Sequence, residues 1–311
     1  MVRGVSFGVM AGALWGGIFL VPQWLPGFSS WELSAGRYLA YGLLSLLMLV
    51  PVWRECCQGL TRRDWLALVK LSLLGNLVYY VLVVLAVQRV GVAPTSLIIG
   101  CLPVLVAMLG ARAGAGLSLR KLTWSLVTIV LGAGCIAGDV WWQGRQMAAG
   151  AWFDRLLGLV CAVGALSCWG LYAVHNAQYL QRRPALGSKA WSLLTGVVTG
   201  GLALIMAVPI WGMTSNAPAD KSWLGFCWLM LATALGASVI GNALWNAACR
   251  RLPLTLSGQL IVFETLFALF YGFLHESRGP RLLEWLAMGL MLGGVTYAAY
   301  LHREIENDSA H

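Results

Sequence analysis

Residues 4–16 read GVSFGVMAGALWG and residues 158–170 read GLVCAVGALSCWG, each opening on glycine and closing on Trp-Gly. Hydropathy places five apolar crossings from Trp15-Gly16 to Trp169-Gly170, so the two copies of the motif point opposite ways through a bilayer. Two matched halves of opposite orientation are the usual build of a secondary transporter, because they can rock about one central site and expose it to alternate sides. The match continues beyond the motif. At a spacing of 158, Val50-Pro51-Val52-Trp53 falls on Val208-Pro209-Ile210-Trp211, and at 162, Ala86 and Arg89 fall on Ala248 and Arg251. The slowly growing offset is what small loop insertions produce. We therefore expect one five-helix repeat over 1–145 and a second over 146–311.

Composition agrees with this reading. Of 311 residues 59% are hydrophobic and 11% charged, against roughly 25% charged in an ordinary soluble domain. Apolar windows of about 20 residues account for nearly the whole chain. They predict spans at 4–25, 31–53, 65–89, 92–112, 121–139, 154–180, 189–211, 223–250, 252–275 and 281–302. All ten must be helices, because a lone strand in hydrocarbon leaves its backbone groups unpaired. The expected fold class is an all-α integral membrane protein with ten transmembrane helices arranged as two inverted repeats.

The net charge of +9 invites a nucleic-acid reading, but its distribution is topological. One side carries 13 of the 21 Lys and Arg, with Arg54, Arg62, Arg63, Arg182, Arg183 and Lys189 among them. The other carries six: Arg89, Arg145, Arg155, Lys221, Arg278 and Arg281. The positive-inside rule then sets both termini in the cytoplasm, which an even number of spans requires. Arg3 before an apolar run, with Ala11-Gly12-Ala13 beyond it, mimics a signal peptide. Trp15-Gly16 has its counterpart in mid-helix, so the segment is kept as the first span. Eight cysteines show no disulfide framework, Cys56 and Cys57 falling in a cytoplasmic loop and the rest in or at the ends of spans.

Three constellations stand out inside the bundle. Gly4, Gly8, Gly12 and Gly16 recur every four residues, a smooth stripe for close helix packing. Pro94 and Pro103 remove backbone donors from the fourth span and can bend it. Trp31, Trp53, Trp65, Trp211, Trp223 and Trp285 lie at span ends, where interfacial anchoring explains them, whereas Trp15, Trp169, Tyr79 and Tyr80 lie deep. Asn76 and Tyr80 share a face of the third span, as Trp169 and Tyr172 do on the sixth, with Asn176 beyond. Rings mixed with amides suit an amphipathic solute, although each residue taken singly is also explained by helix packing. Glu264, midway along the ninth span, is a carboxyl at a depth where charge is expensive, and is read either as a paired structural group or as a coupling or substrate-binding group. Arg37 is expected to pair with Glu32 near the outer end or to snorkel outward.

Enzyme motifs are absent: no GxxxxGK[ST], GxSxG or HExxH occurs, and His175, His275, His302 and His311 have no metal-site spacing. The nominal dinucleotide fingerprint at 132–137 lies within a span with no preceding strand. Neither a cofactor, a metal nor a nucleic-acid partner is expected.

Trp-Gly in spans one and six, Leu102-Pro103-Val104 in span four and Glu264-Thr265-Leu266 in span nine resemble the EamA-type transporters of the drug/metabolite transporter superfamily. Residues 241–247 (GNALWNA), 256–265 (LSGQLIVFET) and 271–276 (YGFLHE) resemble the YddG aromatic amino-acid exporters within it. Many superfamily members carry Glu-Pro where this chain has Glu264-Thr265, so a proline bend is not inferred there. The resemblance implies a bacterial inner-membrane exporter, with a central cavity lined by spans one to four and six to nine and with spans five and ten outside. The candidate substrate contacts are Trp15, Asn76, Tyr79, Tyr80, Trp169, Tyr172, Asn242 and Gln259, with Glu264 as a coupling or structural carboxyl. The partners expected are a small amino acid and the lipid bilayer. Rivals are an exporter of the same fold for another metabolite or a drug-like cation, and a non-transporting receptor or assembly subunit. Whether the protein is a monomer or a homodimer is left open by the sequence.

Overall fold

The computed structural model describes residues 2–112, 119–144, 150–183, 187–213, 222–249, 251–252 and 258–308. The repeat boundary at 145/146, together with Arg145, Lys221, Arg250, Ser257 and His311, lies outside them. Every regular element among the described residues is helical.

Ten segments fall where the sequence placed spans. They are α1 Val2–Trp24, α2 Ser30–Cys57, α3 Arg62–Val90 and α4, which is built from Val92–Ile99 and Leu102–Arg112. There follow α5 Leu119–Gly144, α6 Gly150–Arg182, α7 Ser188–Met213, α8 Trp223–Ala248, α9 Gly258–His275 and α10 Leu282–Asp308. Seven contain an apolar run long enough to cross a bilayer, while the apolar stretches of α4, α5 and α10 are shorter. Large apolar residues such as Leu47, Val160, Ile205 and Leu224 are exposed on the outer faces, a surface suited to lipid. Trp31, Trp53, Trp65, Trp223 and Trp285 are exposed near helix ends, as anchoring requires.

Local chemistry sets the boundaries. Ser29 and Glu32 form a capping box at the start of α2, and Thr61 and Asp64 form another at the start of α3. Gly91, at φ +87°, turns the chain directly from α3 into α4, a conformation that costs a side-chain-bearing residue energy. The helix of α4 breaks at Gly100-Cys101, just before Pro103, whose ring and missing N–H disfavour an unbroken helix. α2 runs on past Trp53, so Cys56 and Cys57, assigned from sequence to a loop, end a helix instead. The expanded turns of π-helix at Leu73–Leu77 in α3 and Ala234–Gly241 in α8 interrupt two otherwise regular spans.

The helices pack crosswise between the halves. α2 lies along α7, α3 along α6, α5 along α10, and α1 against α8 and α9. Positions paired by spacing in the sequence meet partners that are themselves paired. A Cβ on Gly4 would stand 3.1 Å from Arg251 Cβ, and one on Gly158 would stand 2.8 Å from Arg89 Cβ. One on Gly16 would stand 2.8 Å from Phe267 Cβ, and one on Gly170 3.0 Å from Leu105 Cγ. Arg89 and Arg251, like Leu105 and Phe267, are 162 residues apart. The glycine stripe of α1 thus packs on α9 and on Arg251 and Leu252 just past α8, where larger side chains would hold the helices apart.

Candidate functional site

Trp15 is the hinge of an aromatic cluster. Its indole N–H donates to the Ala237 carbonyl at 2.9 Å, within the π-helical turn of α8. This turn widens the backbone and leaves a carbonyl for a side-chain donor. The Trp15 ring lies 5.3 Å from that of Trp245 and 6.4 Å, edge-on, from that of Trp169. Trp169 in turn sits 5.9 Å from Tyr172, and Tyr172 lies flush on Gly75 in the π-helical turn of α3. Trp15 is nearly buried, while Trp169, Tyr172 and Trp245 keep part of their faces open. Helices α1, α6 and α8 therefore present a wall of three indoles, extended by a phenol.

A charged group sits beside this wall. Arg37 of α2 is 5% exposed, its guanidinium 4.3 Å from the Tyr80 ring centre and 5.2 Å from that of Tyr38. One terminal nitrogen donates to Ser238 Oγ at 3.4 Å. Trp15 and Arg37 thus dock on consecutive residues of one π-helical turn. The sequence expectation for Arg37 is corrected: it neither pairs with Glu32 nor reaches the surface. Glu32 accepts from the N–H and hydroxyl of Ser29 at 2.8 and 2.9 Å. Five residues further on, Arg37 is turned about 140° away around the helix, towards α3 and α8.

Glu264, 3% exposed, accepts a long hydrogen bond from the Tyr79 hydroxyl at 3.5 Å and lies within the electrostatic reach of Arg37 without forming an ion pair with it. A Cβ on Gly12 would stand 2.9 Å from its backbone nitrogen, so α1 closes over it. The next residue, Thr265, donates to the Ser96 carbonyl at 2.9 Å beside the break in α4.

The other sequence candidates separate. Tyr80 is fully buried as the platform of Arg37. Asn76 donates to Thr199 at 3.1 Å, tying α3 to α7, and Asn176 accepts from the Trp191 indole at 2.9 Å. Gln259 is buried between α9 and α5, accepting from Ser125 at 3.3 Å. Asn242 lies beside the Tyr41 hydroxyl. Trp245, Tyr38 and Ser238 were missed by sequence reasoning. Trp245 was within sight, one turn beyond Gly241, which packs flush on Trp15. A recess of about 560 Å³ lined by Pro22, Gln23, Pro26, Phe28 and Gln88 lies apart from these groups, at the far end of α1.

A bundle with this interior is matched by the EamA-like transporter family over residues 2–138 and 156–300. The chain belongs to the EamA-like transporter family. It is 33% identical over 308 residues to the inner membrane protein YtfF of Escherichia coli (strain K12), covering 96% of this chain and 95% of that one. A crystal structure of a protein 16% identical superposes with a TM-score of 0.70, covering 96% and 98% of the two chains, a likeness of fold alone. As a member of the EamA-like family the protein is a multi-pass membrane transporter. Its buried Arg37, Tyr79 and Glu264 are therefore polar groups in the interior of a transport protein, the setting in which intramembrane charge marks a pathway.

Proposed function

We propose that the protein exports aromatic and related neutral amino acids across the bacterial inner membrane by alternating access, with its halves as inverted five-helix repeats and both termini cytoplasmic. The observation that carries the reading is the Trp15, Trp169 and Trp245 wall beside the buried polar groups of α2, α3 and α9. Offset or edge-on packing between rings contributes about 0.5–1.5 kcal/mol per pair beyond area burial, so such a wall favours a planar solute. The crossed packing of α1 on α8 and of α3 on α6 supports a rocking motion, since moving one half against the other shifts both contacts together.

A drug-like cation is less well served. Glu264, the buried carboxyl of α9, already faces Tyr79 and the Arg37 charge. Flux of labelled Phe, Trp and Thr in liposomes, with and without a proton gradient, tests the proposal. No flux of any amino acid would sink it, and competition by organic cations for the same flux would favour the cation reading. A receptor or assembly subunit would show no substrate-dependent flux at all.

A further inference from the structure

Arg37 is a buried cation with an incomplete set of partners. Its Nε and one terminal nitrogen are shielded from solvent and donate to no acceptor, and the remaining nitrogen makes only the 3.4 Å bond to Ser238. The hydroxyl of Tyr80, whose ring the guanidinium covers, lies close to it without hydrogen-bond geometry, and that of Ser34, one turn earlier on α2, is buried without a hydrogen bond. Glu264 does not close the pair. A guanidinium can never shed its proton at such a depth, so leaving it among tyrosine rings without an anion is costly. The cost is retained at a particular place. Ser238, which holds Arg37, follows Ala237, which holds the Trp15 indole, so the open donors lie one residue along α8 from the anchor of the indole wall.

We infer that Arg37 is the carboxylate-binding residue of the transported solute, with the Ser34 and Tyr80 hydroxyls beside it. A planar side chain on the indole wall then extends its carboxylate towards the open Arg37 donors. The assignment deepens the proposed function and rests on it for the identity of the solute as an amino acid. It does not rest on it for the anion. In the arrangement seen here Arg37 is covered, so the solute is admitted when α2 and α8 part, and the unmet donors favour re-closure around a bound carboxylate. A charge-assisted hydrogen bond of this kind corresponds to about a tenfold to hundredfold gain in affinity.

The test uses the purified full chain in detergent and three ligands that differ in one group: phenylalanine, phenylpropionate and phenethylamine. Binding is followed by the quenching of the protein's own tryptophan fluorescence, in wild type, Arg37→Gln and Arg37→Lys. Phenylalanine and phenylpropionate are expected to bind wild type and to lose about tenfold or more in Arg37→Gln, with partial recovery in Arg37→Lys. Any affinity for phenethylamine should stay unchanged, which a merely structural role for Arg37 would not produce. Equal weakening of all three ligands, or retention of carboxylate binding in Arg37→Gln, overturns the inference. Failure of phenylpropionate and phenylalanine to bind wild type overturns it as well. If Arg37→Gln does not fold, Arg37→Lys and a Ser34→Ala, Tyr80→Phe pair carry the same comparison. Arg37-dependent phenylpropionate binding without amino-acid flux in liposomes would sink the amino-acid reading and leave this site standing. Flux with carboxylate binding indifferent to Arg37 would do the reverse.

Discussion

Gly42 of α2 and Gly200 of α7 meet backbone to backbone, so that a Cβ on Gly200 would stand 2.5 Å from the Gly42 Cα. They are 158 residues apart, the spacing that sets Val50-Pro51-Val52-Trp53 on Val208-Pro209-Ile210-Trp211. A residue that touches its own counterpart lies on the axis of a two-fold repeat, so this contact is what the proposed inverted repeats require. Glycine on both sides lets the helices approach where lipid supplies no hydrophobic drive. Gly200→Leu is expected to force α2 and α7 apart at a cost of about 1–3 kcal/mol. Gly201→Leu, where a Cβ meets nothing within 4 Å, is the control. Thermal melting in detergent should show the first well below wild type and the second close to it; equal melting would refute the close approach.

Trp15 carries more of the indole wall than Trp245 does, because it alone joins both other indoles and also donates to Ala237. Trp15→Ala is expected to lower stability by about 3 kcal/mol or more and to abolish flux. Trp245→Ala should leave a folded protein whose KM for an aromatic solute rises up to about tenfold, the order of one ring contact. Flux kinetics check both, and an unchanged KM in Trp245→Ala would remove that ring from the solute path.

Glu264 faces Tyr79 and the glycine stripe of α1, and no described cation pairs with it directly. Glu264→Gln keeps the shape and the hydrogen-bond acceptor while removing the titration. Flux is expected to persist and to lose its dependence on pH. A variant whose pH profile matches wild type assigns Glu264 a structural role only.

Helices α3 and α6 are clasped at both ends. Asp64 accepts from Thr61, Tyr179 and Arg183 at one end, and Arg89 pairs with Asp154 at 3.0 Å at the other. Asp64 is buried and also caps its helix, whereas Asp154 is 62% exposed. Asp64→Ala should therefore cost about 1–2 kcal/mol, and Asp154→Ala about 0–1 kcal/mol, fading at high salt. Melting temperatures of the two variants at low and high salt give the comparison, and the reverse order would contradict this account.

Hydropathy, the Trp-Gly recurrence and the spacing of 158 to 162 made the ten helices legible, because a membrane span is a local property of about 20 consecutive residues. The helix starts fall slightly earlier than hydropathy placed them, at Ser30 and Arg62 rather than 31 and 65, because the polar capping boxes of Ser29 and Thr61 lie outside the apolar windows. Pro103 foretold a bend, although the break falls at Gly100-Cys101 just before it. The sequence could not say which way a side chain turns once helices cross. Asn76, Asn176 and Gln259 look alike as amides in spans, yet each is held by a residue of another helix. Arg37 shows the limit most clearly. Glu32, five residues before it, was the partner expected, although helix periodicity already turns the two about 140° apart; only the packing of α2 against α3 and α8 shows where Arg37 goes instead. The sequence by itself thus determined the number and order of the helices, which follow from local hydrophobicity and repeated spacing. The tertiary structure alone decided that Arg37 lies over Tyr80 one residue from the anchor of Trp15, because contacts between residues some 200 positions apart depend on helix rotation and crossing.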